Sequence, residues 1–86
     1  MSQIDILGLI ASGFTITSFM PQIWRTWRTR DVSGMSLPTY IIMTTGTTLW
    51  LIYGFLNGDV PIIVTNTSLF LMCSAITLMI LVFGKK

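Results

Sequence analysis

The sequence contains no histidine and no glutamate, and its only cysteine is Cys73. One cysteine cannot form an internal disulfide, and without histidine the usual ligand set of a zinc site is missing. The acids and bases that enzymes use most are reduced to three aspartates, Asp5, Asp31 and Asp59, among 86 residues. We therefore expect a protein that is not an enzyme and that holds neither a metal ion nor another cofactor.

Charge of either sign is also scarce. Only 9% of the residues are charged, whereas a typical soluble domain has about 25%. The net charge of +2 is too small and too clustered for a surface that binds nucleic acid. Disordered chains combine low hydrophobicity with high charge, which does not fit a content of 52% hydrophobic residues. The composition predicts an integral membrane protein, with one domain over residues 1–86.

Three long stretches carry no charge at all: residues 6–24, 32–58 and 60–84. A helix needs about 20 mostly apolar residues to cross a bilayer, and the strands of a membrane barrel would alternate over about 10. We therefore predict an all-α domain of three transmembrane helices, at about residues 4–25, 36–57 and 61–83. The residues before the first span include no Lys or Arg, which favours an uncleaved helix over a signal peptide.

All five basic residues fall on one side of this arrangement. Arg25, Arg28 and Arg30 follow the first span, and Lys85 and Lys86 follow the third. The N-terminus and the short turn between the second and third spans contain no Lys or Arg. Because positive loops stay in the cytoplasm, we expect the N-terminus outside and the C-terminus inside. The same bias predicts that any oligomer is parallel.

Each predicted helix carries a polar stripe, although three helices are too few to surround a solute. The stripes consist of Gly8, Ser12, Thr15, Phe19 and Gln22, then Met43, Gly46, Trp50, Tyr53 and Asn57, and finally Asn66, Phe70, Cys73 and Thr77. Small and hydroxyl residues in such stripes commonly serve close helix packing. Burying a whole amide in hydrocarbon is costly, so we expect Gln22, Asn57 and Asn66 to have hydrogen-bonding partners or contact with water.

Trp50 and Asn66 are expected at matching depth, because each lies eight residues from Gly58. At 1.5 Å per residue, this places both about 12 Å below the surface. An interfacial belt is the alternative role for Trp50, but Trp24 and Trp27 beside the arginines fit that role better. An indole next to an amide suits a sugar, because the ring stacks on C–H faces and the amide bonds hydroxyls.

Pro21 is predicted within the first helix, about one turn before Arg25. A proline there lacks the N–H of a helix hydrogen bond and clashes with the carbonyl of Thr17. A passive kink and a moving hinge are both compatible with this position, and the sequence pattern does not separate them.

The residues around Pro21 resemble those of a known family. The pair Pro21-Gln22 is followed by a basic loop and by Ser-Gly-Met-Ser-Leu-Pro at residues 33–38. This combination resembles the PQ-loop repeat, and within it the SemiSWEETs, the bacterial one-repeat relatives of the SWEET sugar transporters. The resemblance extends over essentially the whole chain.

The resemblance implies a parallel homodimer of three-helix bundles (3+3) in the bacterial cytoplasmic membrane, with the sugar pathway between the protomers. It implies a passive carrier that works by alternating access. Trp50 and Asn66 match the family's sugar-binding pair, and Pro21 and Gln22 match its hinge.

The resemblance also implies two gates. Tyr53 and Asp59 match the family's extracellular gate, in which family members often carry an arginine where this chain has Asn57. That third position can therefore only form hydrogen bonds here. The intracellular gate candidates, which depth and resemblance together suggest, are Phe19, Met20, Tyr40 and Met43.

The absence of ionisable residues within the spans favours uniport of a sugar such as glucose or sucrose, since proton coupling generally needs a relay group there. Sodium coupling through carbonyls or hydroxyls stays open. Two other functions remain as alternatives: a non-transporting accessory subunit, and a small multidrug-type exporter. The exporters resemble one another in a membrane-embedded glutamate, which this chain lacks.

Overall fold

The computed structural model describes residues 2–84, which form three α-helices: α1 (Gln3–Thr29), α2 (Leu37–Asn57) and α3 (Val60–Phe83). All three are long enough and apolar enough to cross a membrane. With 21 residues the shortest rises about 32 Å, which covers a hydrocarbon core of about 30 Å. The prediction of an all-α, multi-pass membrane protein is confirmed. Lys85 and Lys86, used above to orient the chain, lie outside the described residues.

The first helix is longer than predicted. It continues past Arg25 to Thr29, so Arg25 and Arg28 lie on its last turns and not in a loop. Arginine is a good helix former, and a positive charge is favourable near a helix C-terminus, so the charges that end the apolar stretch do not end the helix. The helix stops at Arg30, which adopts a left-handed conformation (φ 58°) and donates its backbone N–H to the carbonyl of Thr26.

A side chain caps the N-terminus of each helix. Ser2 caps α1 in a reciprocal capping box with Asp5, and Ser36 caps α2. Asp59 caps α3, where its carboxylate accepts the backbone N–H of Ile62 at 3.2 Å. These bonds satisfy backbone donors that the helices themselves leave unpaired.

The turn between α2 and α3 is as short as the sequence suggests. Gly58 has a positive φ of 64° that suits a residue without a side chain, and Asp59 follows as the cap of α3. We call this extremity of the protein the turn end. The opposite extremity, at the C-terminal turns of α1 and the N-terminus of α2, is the arginine end.

The three helices form an open bundle with α3 at its centre. Both α1 and α2 pack on α3, but no pair of their Cα atoms lies within 8 Å among residues 2–84. Among the described residues, the buried apolar side chains therefore all belong to α3; they are Met72, Cys73, Ile76 and Met79. Across the helices the bundle measures 22 Å by 14 Å. The larger of these two dimensions is close to the width of about 22 Å that three helices would have side by side.

Small residues allow the close approaches to α3. A Cβ atom on Gly8 would lie 2.9 Å from the Cβ of Pro61, and one on Gly54 would lie 2.8 Å from the Cγ2 of Ile62. The hydroxyls of Ser12 and Thr65 hydrogen-bond between α1 and α3. For Gly8 and Ser12, the polar stripe of α1 therefore serves helix packing, as small and hydroxyl residues commonly do in membranes.

Candidate functional site

An exposed aromatic pair lies on α2 toward the turn end. The rings of Trp50 and Tyr53 meet edge to face, with centroids 5.5 Å apart and an interplanar angle of 84°. Trp50 is 55% exposed, although it sits two turns inside the helix. A groove of about 420 Å³ runs over the pair and is completed by Gly46 and Leu49. The three-residue and four-residue spacings along α2 place these side chains on one face, as predicted.

Asn66 lies on α3, the helix that packs against α2, and is half-buried. Its side-chain amide donates to the carbonyl of Ile62 at 3.0 Å. This bond occupies one of the two amide donors and leaves the amide oxygen for another partner. Asn66 is not among the residues that line the groove at Trp50, so the single chain does not bring the two side chains into one cavity.

The polar stripe of α3 divides into two parts. Cys73, predicted on the same face as Asn66, has no exposed surface and belongs to the core of the bundle. Thr77 donates its hydroxyl to the carbonyl of Cys73 at 2.7 Å within the same helix. Cysteine is among the residues most often buried, and at Cys73 the stripe serves helix packing.

Pro21 lies inside α1 without interrupting it. The next residue makes the link to α2: the side-chain amide of Gln22 donates to the hydroxyl of Tyr40 at 3.3 Å. The backbone carbonyl of Gln22 also accepts the hydroxyl of Thr26 at 2.8 Å. The pair Pro21-Gln22 thus combines a weakened helix segment with a polar contact between two helices whose backbones stay apart.

The residues predicted for the extracellular gate lie together at the turn end. Tyr53 borders the groove, and Asn57 is the last residue of α2, with an exposed side chain. Asp59 is partly buried and already caps α3 through its Oδ1 atom. One oxygen of this carboxylate therefore has a structural role, and the other carries no such bond.

The residues predicted for the intracellular gate lie on different faces. Phe19 is seven residues from both Ser12 and Thr26, which are buried, so it shares the face of α1 that packs on α3. Met20 is 54% exposed and lies two residues from Gln22, on the far side of α1. On α2, Tyr40 and Met43 are both half-buried, and Tyr40 makes the contact to Gln22.

A polar cavity that no sequence pattern predicted lies at the arginine end. It has a volume of about 580 Å³ and lies between α1 and the loop that leads to α2. Asp31 lines this cavity. Its Oδ1 atom accepts the backbone N–H and the hydroxyl of Ser33, at 2.9 and 2.6 Å. These bonds, followed by the charge of Arg25, lower the pKa of the Asp31 carboxyl.

At the arginine end, a second aromatic cluster joins the C-terminal ends of α1 and α3. Trp27 on α1 packs against Phe83 on α3 with ring centroids 6.1 Å apart, and the guanidinium of Arg30 lies 5.3 Å from the centre of the Phe83 ring. A cation over a ring face is attracted by the ring's quadrupole. Trp27 therefore holds two helix ends together, which fits its expected place near the membrane surface better than a place in a solute path.

Comparison with known proteins identifies the family. A sequence model of the PQ loop repeat matches residues 4–63. A sugar transporter SemiSWEET of Bradyrhizobium diazoefficiens is 36% identical over 81 residues, which cover 94% of each chain.

Solved structures agree with this assignment. The crystal structure of a bacterial homologue of SWEET transporters superposes with a TM-score of 0.88 at 29% identity, over 96% of this chain and 100% of that one. The crystal structure of a SemiSWEET in the inward-open conformation superposes with a TM-score of 0.87 at 32% identity, over 95% and 88% of the two chains. The chain therefore belongs to the PQ-loop repeat family and, within it, to the SemiSWEETs.

Proposed function

We propose that the protein is a facilitative sugar carrier, which moves small sugars such as glucose or sucrose by alternating access through a parallel homodimer. The observation that carries this proposal is the exposed Trp50–Tyr53 pair over a groove, two turns inside a membrane-spanning helix. Relatives described as sugar transporters support the substrate class.

The chemistry of the groove favours a neutral, hydroxyl-rich solute. An exposed indole offers an apolar plate to the C–H face of a sugar ring, and the hydroxyl of Tyr53 can donate and accept hydrogen bonds. Asn66, at a similar depth on the neighbouring helix, has an amide oxygen left for a sugar hydroxyl. No charged residue lines the groove, so binding an ion there would leave its charge without a partner.

A second copy of the chain completes the pathway in this proposal. The single chain leaves the backbones of α1 and α2 apart and exposes Trp50, Tyr53 and Asn57, so one side of the solute would face lipid. Two copies related by an axis along the membrane normal would enclose it. Each copy would contribute one Trp50 and one Asn66.

The positions of the ionisable residues suggest how the protein is oriented in the membrane and whether its transport is coupled to protons. The arginine end faces the cytoplasm of a bacterial cell, as the positive-inside bias favours, and the turn end faces outward. Between Asp5 in the first turn of α1 and Arg25 in its last turns, α1 carries no ionisable side chain. Neither α2 nor α3 contains an Asp, Glu, His, Lys or Arg. A proton relay therefore lacks its usual groups within these helices, which favours transport that is not coupled to protons.

Counterflow in liposomes tests this proposal. Purified protein should exchange radiolabelled glucose or sucrose against a trapped excess of the same sugar. A pH gradient alone should not concentrate the label. Absence of counterflow from the folded, purified chain would favour the accessory-subunit alternative, and accumulation driven by the pH gradient would contradict uniport.

A further inference from the structure

The polar cavity at the arginine end is a second place in the molecule with the means to bind a solute. Its volume of about 580 Å³ falls within the range of about 300–1,000 Å³ that small-molecule sites occupy. We propose that this cavity is a second, weaker sugar-binding site, in which Asp31, Arg25 and Gln22 hydrogen-bond the hydroxyl groups of the sugar. The inference rests on the proposed function, since it assigns a further station to the same substrate.

The cavity is separate from the groove at Trp50. Gln22, which forms part of the cavity wall, contacts Tyr40, and Tyr40 precedes Trp50 by ten residues on α2. At a rise of 1.5 Å per residue, the two places are about 15 Å apart along the helix axis. A single sugar does not reach both. The cavity would therefore be the last binding site that an entering sugar meets before the cytoplasm, and the first that a leaving sugar meets.

The donors and acceptors of the cavity match a neutral polyol. Asp31 is ionised, which makes it a strong acceptor for hydroxyl donors, and its Oδ2 atom carries none of the bonds to Ser33. Arg25 supplies N–H donors, and the side-chain amide of Gln22 can supply both a donor and an acceptor. The loop holds Asp31 in place, because its Oδ1 atom accepts two hydrogen bonds from the residue two positions ahead.

The same residues argue against tight binding and against anions. No aromatic ring lines the cavity, so the stacking plate of the Trp50 groove is missing. Asp31 is fully exposed, so water competes for its oxygens. Among residues 2–84, one negative and one positive side chain line the cavity, and the carboxylate would repel a phosphorylated sugar that Arg25 attracts. A neutral sugar meets neither penalty.

The test detects sugar bound outside the Trp50 groove. Saturation-transfer NMR on the purified protein reports millimolar binding of sucrose through the sucrose signals. A Trp50→Ala variant should retain a sucrose signal from the cavity. Adding Asp31→Asn, which keeps an oxygen for the Ser33 bonds but removes the charge, should raise the dissociation constant of this signal about fivefold.

Asp5→Asn in the Trp50→Ala background is the matched control, because Asp5 is the aspartate in the first turn of α1, at the opposite end of the molecule. It should leave the signal unchanged. A signal that is absent from Trp50→Ala, or that survives Asp31→Asn unaltered, would overturn the second site while wild-type counterflow keeps the proposed function. Absence of wild-type counterflow would remove both.

Inorganic phosphate is the competing occupant, since Arg25 lines the cavity. If the Trp50→Ala protein binds phosphate and no sucrose, it will broaden the phosphorus signal, give no sucrose signal, and lose the broadening on Arg25→Gln. That result would assign the cavity to anions and overturn the proposal. Sucrose binding that phosphate does not displace would support it.

Discussion

The side-chain amide of Gln22 and the hydroxyl of Tyr40 form a hydrogen bond of 3.3 Å that joins α1 to α2 at the arginine end. No backbone contact supports it, because the two helices pack on α3 and not on each other. A polar contact without surrounding packing can break and form again at small cost, since the net contribution of one hydrogen bond is about 0.5–1.5 kcal/mol. This bond is therefore suited to the reversible closure that the proposed alternating access requires.

Tyr40→Phe should shift the arginine end toward its open state. The change removes the acceptor for Gln22 and keeps the ring, so the ratio of open to closed molecules should rise about two- to tenfold. Spin labels on Ser33→Cys in the two copies of a Cys73→Ala dimer would report this as a larger share of long distances. Thr45→Val, which removes a hydroxyl that donates within α2 to the carbonyl of Ile41, is the control. Identical distance distributions would show that the bond does not hold the closure.

Trp50→Ala should reduce sugar counterflow at least about tenfold, because one substitution removes the proposed stacking plate from both copies of the proposed homodimer, and 1.4 kcal/mol corresponds to a factor of ten. Asn66→Ala should also reduce it, since a sugar hydroxyl left unpaired costs about 1–3 kcal/mol. Trp24→Ala is the matched control, as Trp24 is also exposed but lies at the arginine end of α1. Normal counterflow in the first two variants would place the pathway elsewhere.

Pro21→Ala should slow transport without unfolding the protein. The alanine N–H can donate to the carbonyl of Thr17, and an alanine in a helix interior is favoured by about 3 kcal/mol over proline. A stiffer α1 should lower counterflow several-fold while the amount of folded dimer is unchanged. Pro38→Ala is the control, because Pro38 lies in the first turn of α2, where its missing N–H has no helix partner. Unaltered flux in Pro21→Ala would reduce Pro21 to a passive element.

Gly54→Ala should destabilise the packing of α2 on α3. The new Cβ would lie 2.8 Å from the Cγ2 of Ile62 and 3.2 Å from the Cγ1 of Ile63, and such overpacking costs about 1–3 kcal/mol. Gly46→Ala in the same helix meets no atom within 4 Å and should keep or raise stability. Thermal unfolding in detergent measures both, and equal melting temperatures would contradict the close approach at Gly54.

The orientation is testable with cysteines at the two ends. Gln3→Cys should react with an impermeant thiol reagent on intact cells, and Ser33→Cys should react only after the cells are opened. Gln3 is preferable to Ser2, because Ser2 caps α1 and its loss costs about 1 kcal/mol. Cys73 is fully buried and should give little background labelling. The reverse pattern would invert the proposed topology.

The helix count was predictable from charge spacing, because a bilayer sets a minimum length for an apolar stretch. The end of α1 was not, since Arg25 and Arg28 end the apolar stretch but favour the helix. Helical spacing placed Trp50 and Tyr53 on one face correctly, but it could not tell that Cys73 faces the core. The cavity at Asp31 depends on how the loop folds back over α1, which no periodic pattern records.

The tight turn between α2 and α3 limits how other molecules can reach this protein. Gly58 and Asp59 are the only residues between the two helices, and the carboxylate of Asp59 is engaged with the backbone of α3. A protease needs a length of extended chain, which this connection does not supply. The link between α2 and α3 is consequently hard to cleave in the folded protein.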